Sequence, residues 1–259
     1  MHTWEKKMMR IGLMLLVIGA VLSVGALAVN GFSFNGLEGA SYEAVTYAPE
    51  GEFDRLDVSA VDAEIHIQPA QDGVCRVVCD ETERWHYSVE VREGVLTVHS
   101  DVNWGTGIHF NVKTPLLMIE LPEKAYAEMK VHSVSGDVNV VGLRIDALEI
   151  ETTSGEVDLE KLELGSLNVE TVSGDVELQN STASGDVSIK TTSGEIELEN
   201  ADAASFEIST VSGDVEGTLR SGKTFDVRNV SGEVKIPQSA SGGAFKANTT
   251  SGDVEIKVK

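Results

Sequence analysis

Seven carboxylates recur along the second half of the chain at nearly equal steps: Asp137, Glu156, Asp175, Glu195, Asp214, Glu233 and Asp253, separated by 19, 19, 20, 19, 19 and 20 residues. Carboxylates are hard oxygen donors, the ligand type that calcium takes. Steps this regular bring them onto one line if each step is one turn of a stack. At the strand spacing of about 4.8 Å, such a row splays into water or shares a cation. A solvated acidic row and a weak calcium site are therefore the two readings. The nine-residue Gly-rich calcium repeat is absent from the chain, so no metal or cofactor is assigned.

A second group stands out because aromatic residues make up only 5% of the chain. Trp85, His86 and Tyr87 precede a strand pattern, and Trp104, His109 and Phe110 lie in a Gly-containing loop. Such residues either stack on sugars or lipid headgroups, or plug the open end of a stack of strands. The histidines lack metal-ligand spacing. Cys75 and Cys79, on one face of a strand, stand about 13 Å apart, too far for a mutual disulfide. They read as two small buried residues. No nucleophile elbow, zinc motif or phosphate loop occurs. Polysaccharide cleavage would need clustered bases, whereas Arg144, Lys190, Arg220, Lys223, Arg228 and Lys235 are scattered. No catalytic residue is assigned, and the chain reads as a non-enzyme. A net charge of −22 argues against nucleic acid and against docking on anionic lipid.

The elements that must position the acidic row are short strands. Each acid follows Ser-Gly, at Ser135, Ser154, Ser173, Ser193, Ser212, Ser231 and Ser251. Around each corner apolar residues alternate with polar ones: Leu148 and Ile150, then Val157 and Leu159; Leu167 and Val169, then Val176 and Leu178. Period two means strands buried on one face. Glycine suits the corner because it takes positive φ. A two-strand unit is too thin to bury its own apolar face, so the units must stack. The predicted fold is all-β, a parallel β-helix with one coil of about 19–20 residues per repeat. An antiparallel meander is the rival, although hairpins favour Asn-Gly or Asp-Gly turns that are missing here. Asp alternates with Glu along the row, which hints at a doubled unit of two repeats. An extra Ser-Gly-Asp-Val at Ser184 falls out of register and is expected at the opposite corner of its coil.

Residues 1–10 form a basic flank with Lys6, Lys7 and Arg10, and residues 11–29 are uncharged. Nineteen such residues nearly span a bilayer core as a helix. The flank orients the N-terminus to the cytoplasm and the remainder outside; a cleavable signal peptide is the competing reading. Residues 30–51 read as a linker, 52–131 as irregular first coils and cap, and 132–259 as the repeats. Within 52–131, Asp62, Ala63 and Glu64 stand where a degenerate repeat would have Ser, Gly and acid. The final strand, Val254–Lys259, is expected to be an open edge. Lys257 and Lys259 would block edge-to-edge pairing there and keep the exported part monomeric.

A hairpin with Gly-Val-Leu-Thr-Val at 94–98, a strand ending Ile-Glu-Leu-Pro at 119–122 and serial Thr-x-Ser-Gly-Asp-Val-x-Leu units resemble the bacterial putative-adhesin family. This is a domain of unknown function, also called the toastrack type. The resemblance covers residues 50–259. It implies a β-helical extracytoplasmic domain, often membrane-anchored and linked to envelope stress, with no catalytic residues to carry over. The expected partner is an envelope protein or glycan.

Overall fold

The computed structural model describes residues 42–82, 85–102, 114–238 and 241–259, all in one compact unit; the other unit, residues 1–40 and 107–112, falls outside them. The predicted membrane span 11–29, most of the linker, and Trp104, His109 and Phe110 lie outside the described residues. All described regular structure is β. The strands are β1 Glu43–Tyr47, β2 Arg55–Ala60, β3 Glu64–Pro69, β4 Arg76–Glu81, β5 Trp85–Arg92, β6 Val95–Val102, β7 Leu116–Leu121, β8 Ala125–Ser133, β9 Val138–Val141, β10 Arg144–Glu151 and β11 Val157–Glu160. They continue as β12 Glu163–Glu170, β13 Val176–Gln179, β14 Thr182–Ala183, β15 Asp186–Lys190, β16 Ile196–Ala201, β17 Ser205–Ser209, β18 Val215–Leu219, β19 Lys223–Ser231, β20 Val234–Lys235, β21 Gly243–Ser251 and β22 Val254–Val258.

Strands flanking a Ser-Gly corner never pair with each other. The strand before the corner joins one sheet and the strand after it joins a second. Each pairs in parallel with its equivalent one repeat away, as in Leu148↔Leu167 and Val157↔Val176. The meander is thereby excluded: among the described strands, only β1–β4, β4–β7 and β5–β6 pair antiparallel. Sheet A has the order β1-β4-β7-β3-β9-β11-β13-β16-β18-β22-β20. Sheet B has the order β19-β21-β17-β15-β12-β10-β8-β2-β6-β5, with β14 beside β12. The alternating apolar residues point between the sheets, and Ile150, Val157, Val169, Val176, Ile189 and Ile196 are at most 1% exposed. Burying each contributes roughly 1.5–3 kcal/mol.

Both ends depart from sequence order. The degenerate repeat does not cap the stack. Strand β2 lies between β6 and β8, and β3 between β7 and β9. The cap is built instead from the β5–β6 hairpin and from β1, β4 and β7. At the other end, the last repeat slots between its two predecessors: β21 lies between β17 and β19, and β22 between β18 and β20. The expectation of an open final strand is therefore overturned. Lys257 pairs with Glu255 on its own strand at 2.7 Å, and the Lys259 N–H donates to Leu219 O.

Packing explains the insertion. The Phe245 ring sits 5.6 Å from Phe206 and 5.3 Å from Phe225, between centroids. Lys223, only 3% exposed, is registered with Gly243, whose other neighbour is Ala204. Its Nζ passes the side-chain-free Gly243 and donates to Asp202 Oδ1 at 2.6 Å and Ala203 O at 2.7 Å. One buried ammonium thus ties the outermost coil to the coil two places away. The extra motif at Ser184 also falls elsewhere than expected. Gly185 stacks on Gly165 inside sheet B, its N–H donating to Gly165 O, so the motif bends a strand. The true opposite corner carries Gly142, Lys161, Asn180 and Asn200, all with φ between 50° and 68°.

Candidate functional site: the acidic corner and the outer face of sheet A

The Ser-Gly corners form one column. In space it runs Ala63, Gly136, Gly155, Gly174, Gly194, Gly213, Gly252, Gly232, so the alignment of Asp62, Ala63 and Glu64 with the repeat motif holds. Gly155, Gly232 and Gly252 take positive φ, as expected, but that is not the whole need for glycine. A Cβ on Gly174, Gly194 or Gly213 would stand 2.0 Å from the carbonyl oxygen of the glycine one coil away. Those three do not take positive φ; close backbone stacking excludes any side chain. Just before six of the seven corners a small hydroxyl residue is buried, Ser133, Thr152, Thr171, Thr191, Thr210 and Thr249, and before the corner at Ser231 the position is Asn229. Val134, Val172 and Val211, next in line, are about half exposed, and Val230 is 82% exposed.

The acids after the glycines do form one exposed row, and Asp and Glu play different parts in it. Asp137 Oδ1 accepts the Glu156 N–H at 2.9 Å, and Asp175 Oδ1 the Glu195 N–H at 2.8 Å. Asp214 accepts from Asp253 and Asp253 from Glu233, each at 2.7 Å. The short aspartate side chain bridges to the backbone of the next coil. The alternation of acids along the chain is therefore a pattern of backbone tethers. Because the last repeat is inserted, the spatial order ends Asp214, Asp253, Glu233.

A second acidic column lies beside the first, on the outer face of sheet A. Register stacks Asn139, Asp158, Glu177, Glu197, Glu216 and Glu255 on successive strands. Sequence reasoning left this column among the outward polar residues of the alternation and singled out none of its members. Aligning the repeats at their Ser-Gly corners would have found the column. Among the described residues, Asp158, Glu177, Glu197 and Glu216 form no ion pair. Basic side chains stand at the ends, where His66 precedes Asn139 and both Lys235 and Lys257 lie beside Glu255. Glu156, Asp158 and Glu177 place carboxylate oxygens within 4.8 Å of one another, which suits a hard cation.

Crowding raises the carboxyl pKa values here. Glu156 is raised first by the charge of Asp158, then by burial and by Asp137 and Asp175. Asp158 is raised by burial and then by Glu177; Glu195 and Glu197 by burial and then by neighbouring carboxylates.

The aromatic group is divided. Trp85 and Tyr87 are buried in the core at the N-terminal end of the stack, while His86 is exposed. Glu81, 7% exposed, accepts the Tyr47 hydroxyl at 2.6 Å and the Tyr87 N–H at 3.0 Å, and His86 Nδ1 lies 3.1 Å from it. Burial opposes ionisation of Glu81, but these hydrogen bonds, led by that of Tyr47, hold its carboxyl below the usual range. Cys75 and Cys79 are free and buried, their thiols pushed up to about 11 and about 12 by desolvation.

Comparison with known proteins places this geometry. A putative adhesin from Bacteroides fragilis matches with a TM-score of 0.55 at 22% identity, covering 85% of this chain and 97% of that one. A putative lipid binding protein from Parabacteroides distasonis matches at 16% identity and a TM-score of 0.47, over 85% of this chain and 98% of its own. Comparison with curated proteins finds no match. The first likeness supports the fold. The family model described as Toastrack DUF4097 matches residues 53–259, and the chain belongs to that family.

Proposed function

We propose that this chain is a non-catalytic, membrane-anchored extracytoplasmic module that meets its partner through the outer face of sheet A, in the manner of an adhesin or an envelope sensor. The observation that carries the reading is the column Asp158, Glu177, Glu197, Glu216, with one carboxylate per strand and no cation paired to it. At about 4.8 Å, neighbouring unit charges repel by roughly 1 kcal/mol even in water. A partner bearing regularly spaced cationic groups, on an envelope protein or an amine-bearing glycan, relieves that repulsion on binding. The uncharged segment 11–29 behind its basic flank supports the anchor. The description of a structural relative as a putative adhesin supports contact rather than turnover. The test is capture from envelope extracts by the full chain and by a Glu177→Gln/Glu197→Gln/Glu216→Gln variant. Loss of capture by the variant, and by the parent in high salt, is expected; equal capture by both sinks the reading. Protease accessibility on intact cells, with membrane fractionation, tests the placement, which recovery of the full chain in the cytosol would refute.

The cluster Glu156, Asp158, Glu177 favours a second reading, a calcium-stabilised structural stalk. Thermal melts in millimolar calcium and in chelator separate the two; an unchanged midpoint removes the stalk. As for glycan cleavage, the Oδ1 atoms of Asp175 and Asp214 already accept backbone N–H groups of the next coil. Activity screens of the parent with Asp175→Ala and Asp214→Ala variants are expected to show no turnover in any.

A further inference from the structure

The two sheets finish differently at the C-terminal end of the stack. Sheet A ends on β20, two residues long and soon followed by Pro237, which has no N–H to donate. Sheet B ends on β19, nine residues long and, among the described residues, paired on one side only, with β21. The inward Phe225 and Val227 of β19 are half-buried, whereas their registered partners Phe245 and Ala247 are fully buried. An outermost strand with free backbone groups and half-covered apolar side chains is a template for one more strand.

We propose that β19 is a dimerisation edge, occupied by β19 of a second copy of this chain in antiparallel pairing about a two-fold axis at Val227. The charges of the strand fit this occupant. With Val227 opposite itself, Asp226 of each copy lies opposite Arg228 of the other, on the same face, so the axis generates two equal ion pairs. Both side chains are available: Arg228 is 78% and Asp226 61% exposed, and their contact within the strand is a loose 3.9 Å. The surrounding charge also favours this end. With Lys223 buried on Asp202, residues 220–236 expose Arg220, Arg228 and Lys235 against Asp226 and Glu233, close to balance in a chain of net charge −22. Copies meeting through the sheet A face repel; copies meeting here do not. An isologous contact closes at two chains and does not propagate. Insertion of the last repeat creates this edge: it buries β21, the last strand of sheet B in sequence, and leaves the earlier β19 outermost.

Sedimentation of the full chain in a non-ionic detergent tests the proposal. The parent is expected to sediment as a dimer. Asp226→Arg places like charges opposite each other twice and is expected to weaken association by at least about tenfold. The double variant Asp226→Arg/Arg228→Asp restores complementarity and is expected to dimerise like the parent. A monomeric parent at about 100 µM, a dimer indifferent to Asp226→Arg, or a double variant that stays monomeric each overturns the proposal. So does a dimer that Glu90→Arg dissolves instead, since Glu90 lies on β5, the edge at the far end of sheet B. Far-ultraviolet circular dichroism establishes that each variant folds; both substituted side chains are largely exposed.

Discussion

The outer faces of the two sheets are built from the same repeat at the same spacing, yet their charges are arranged in opposite ways. On sheet B, Lys130 meets Glu128 and Glu149 at 3.4 and 3.3 Å, His132 lies 3.3 Å from Glu151, and Lys190 lies 2.8 Å from Glu170. Cations thus stand among the acids of these columns and partly neutralise them, although Glu151 and Glu170 lie side by side on successive coils. On sheet A, Asp158, Glu177, Glu197 and Glu216 follow one another with no cation between. In a stacked repeat every sequence position becomes a column, so a residue's electrostatic role is set by the residues about 19 positions away. A periodic acid within an otherwise mixed surface is thus either paired by its column or left as a charged stripe.

The corner shared by both faces gives the largest expected effect. A Cβ at Gly194 would lie 2.0 Å from Gly174 O, whereas one at Gly73 meets nothing within 4 Å. Gly194→Ala is expected to cost roughly 3 kcal/mol or more, because two backbones must separate. Gly73→Ala, with φ at 72°, should cost about 1 kcal/mol from backbone strain alone. Urea midpoints decide, and equal losses would mean that the corner tolerates a side chain.

Next comes the division of labour within the corner row. Asp175→Ala removes the acceptor of the Glu195 N–H and is expected to cost about 1–2 kcal/mol. Glu195→Ala removes no such tether and should be neutral or slightly stabilising. If both substitutions cost the same, the alternation of Asp and Glu has another origin.

Sign reversal compares the faces directly. Glu177→Lys interrupts the sheet A column and is expected to stabilise by about 0.5–1 kcal/mol at low salt. Lys190→Glu should destabilise sheet B by a similar amount. Salt should shrink both effects, and a salt-independent pair of values would locate their cause in packing.

The smallest effect is one of pH. The raised carboxyl of Glu197 takes up its proton more readily folded than unfolded. It therefore subtracts stability as pH rises from the unfolded carboxylate range through the folded value. Glu197→Gln should melt slightly above the parent at pH 7, with the difference vanishing near pH 4. A difference that grows on acidification would reverse the sign assigned to this face.

Much of the architecture was legible because stacking and burial repeat. The period gave one coil per repeat, and the alternation at Leu148, Ile150, Val157 and Leu159 named the inward residues correctly. The acidic row was legible as a row. Its neighbouring column was not noticed, since Glu177 and Glu197 look like ordinary outward residues until strands are set in register. The role of the corner aspartates was hidden for the same reason: an Asp Oδ1 reaches a backbone N–H in another coil, 19 to 39 residues away. Trp85 and Tyr87 proved to be core residues of the end cap, whereas Trp104, His109 and Phe110 lie outside the described residues.

By itself, the sequence determined the class of structure, the corner glycines and the inward faces, because these follow from local periodicity and from the steric size of a single residue. Tertiary structure alone decided which coil lies beside which. Residues 243–258 and 223–235 carry nearly the same inward pattern, and sequence proximity favours the wrong order. Phe245 packed between two rings, and Lys223 reaching past Gly243 to Asp202, select the inserted order. Those contacts exist only once three coils are assembled, so no pattern within one repeat announces them.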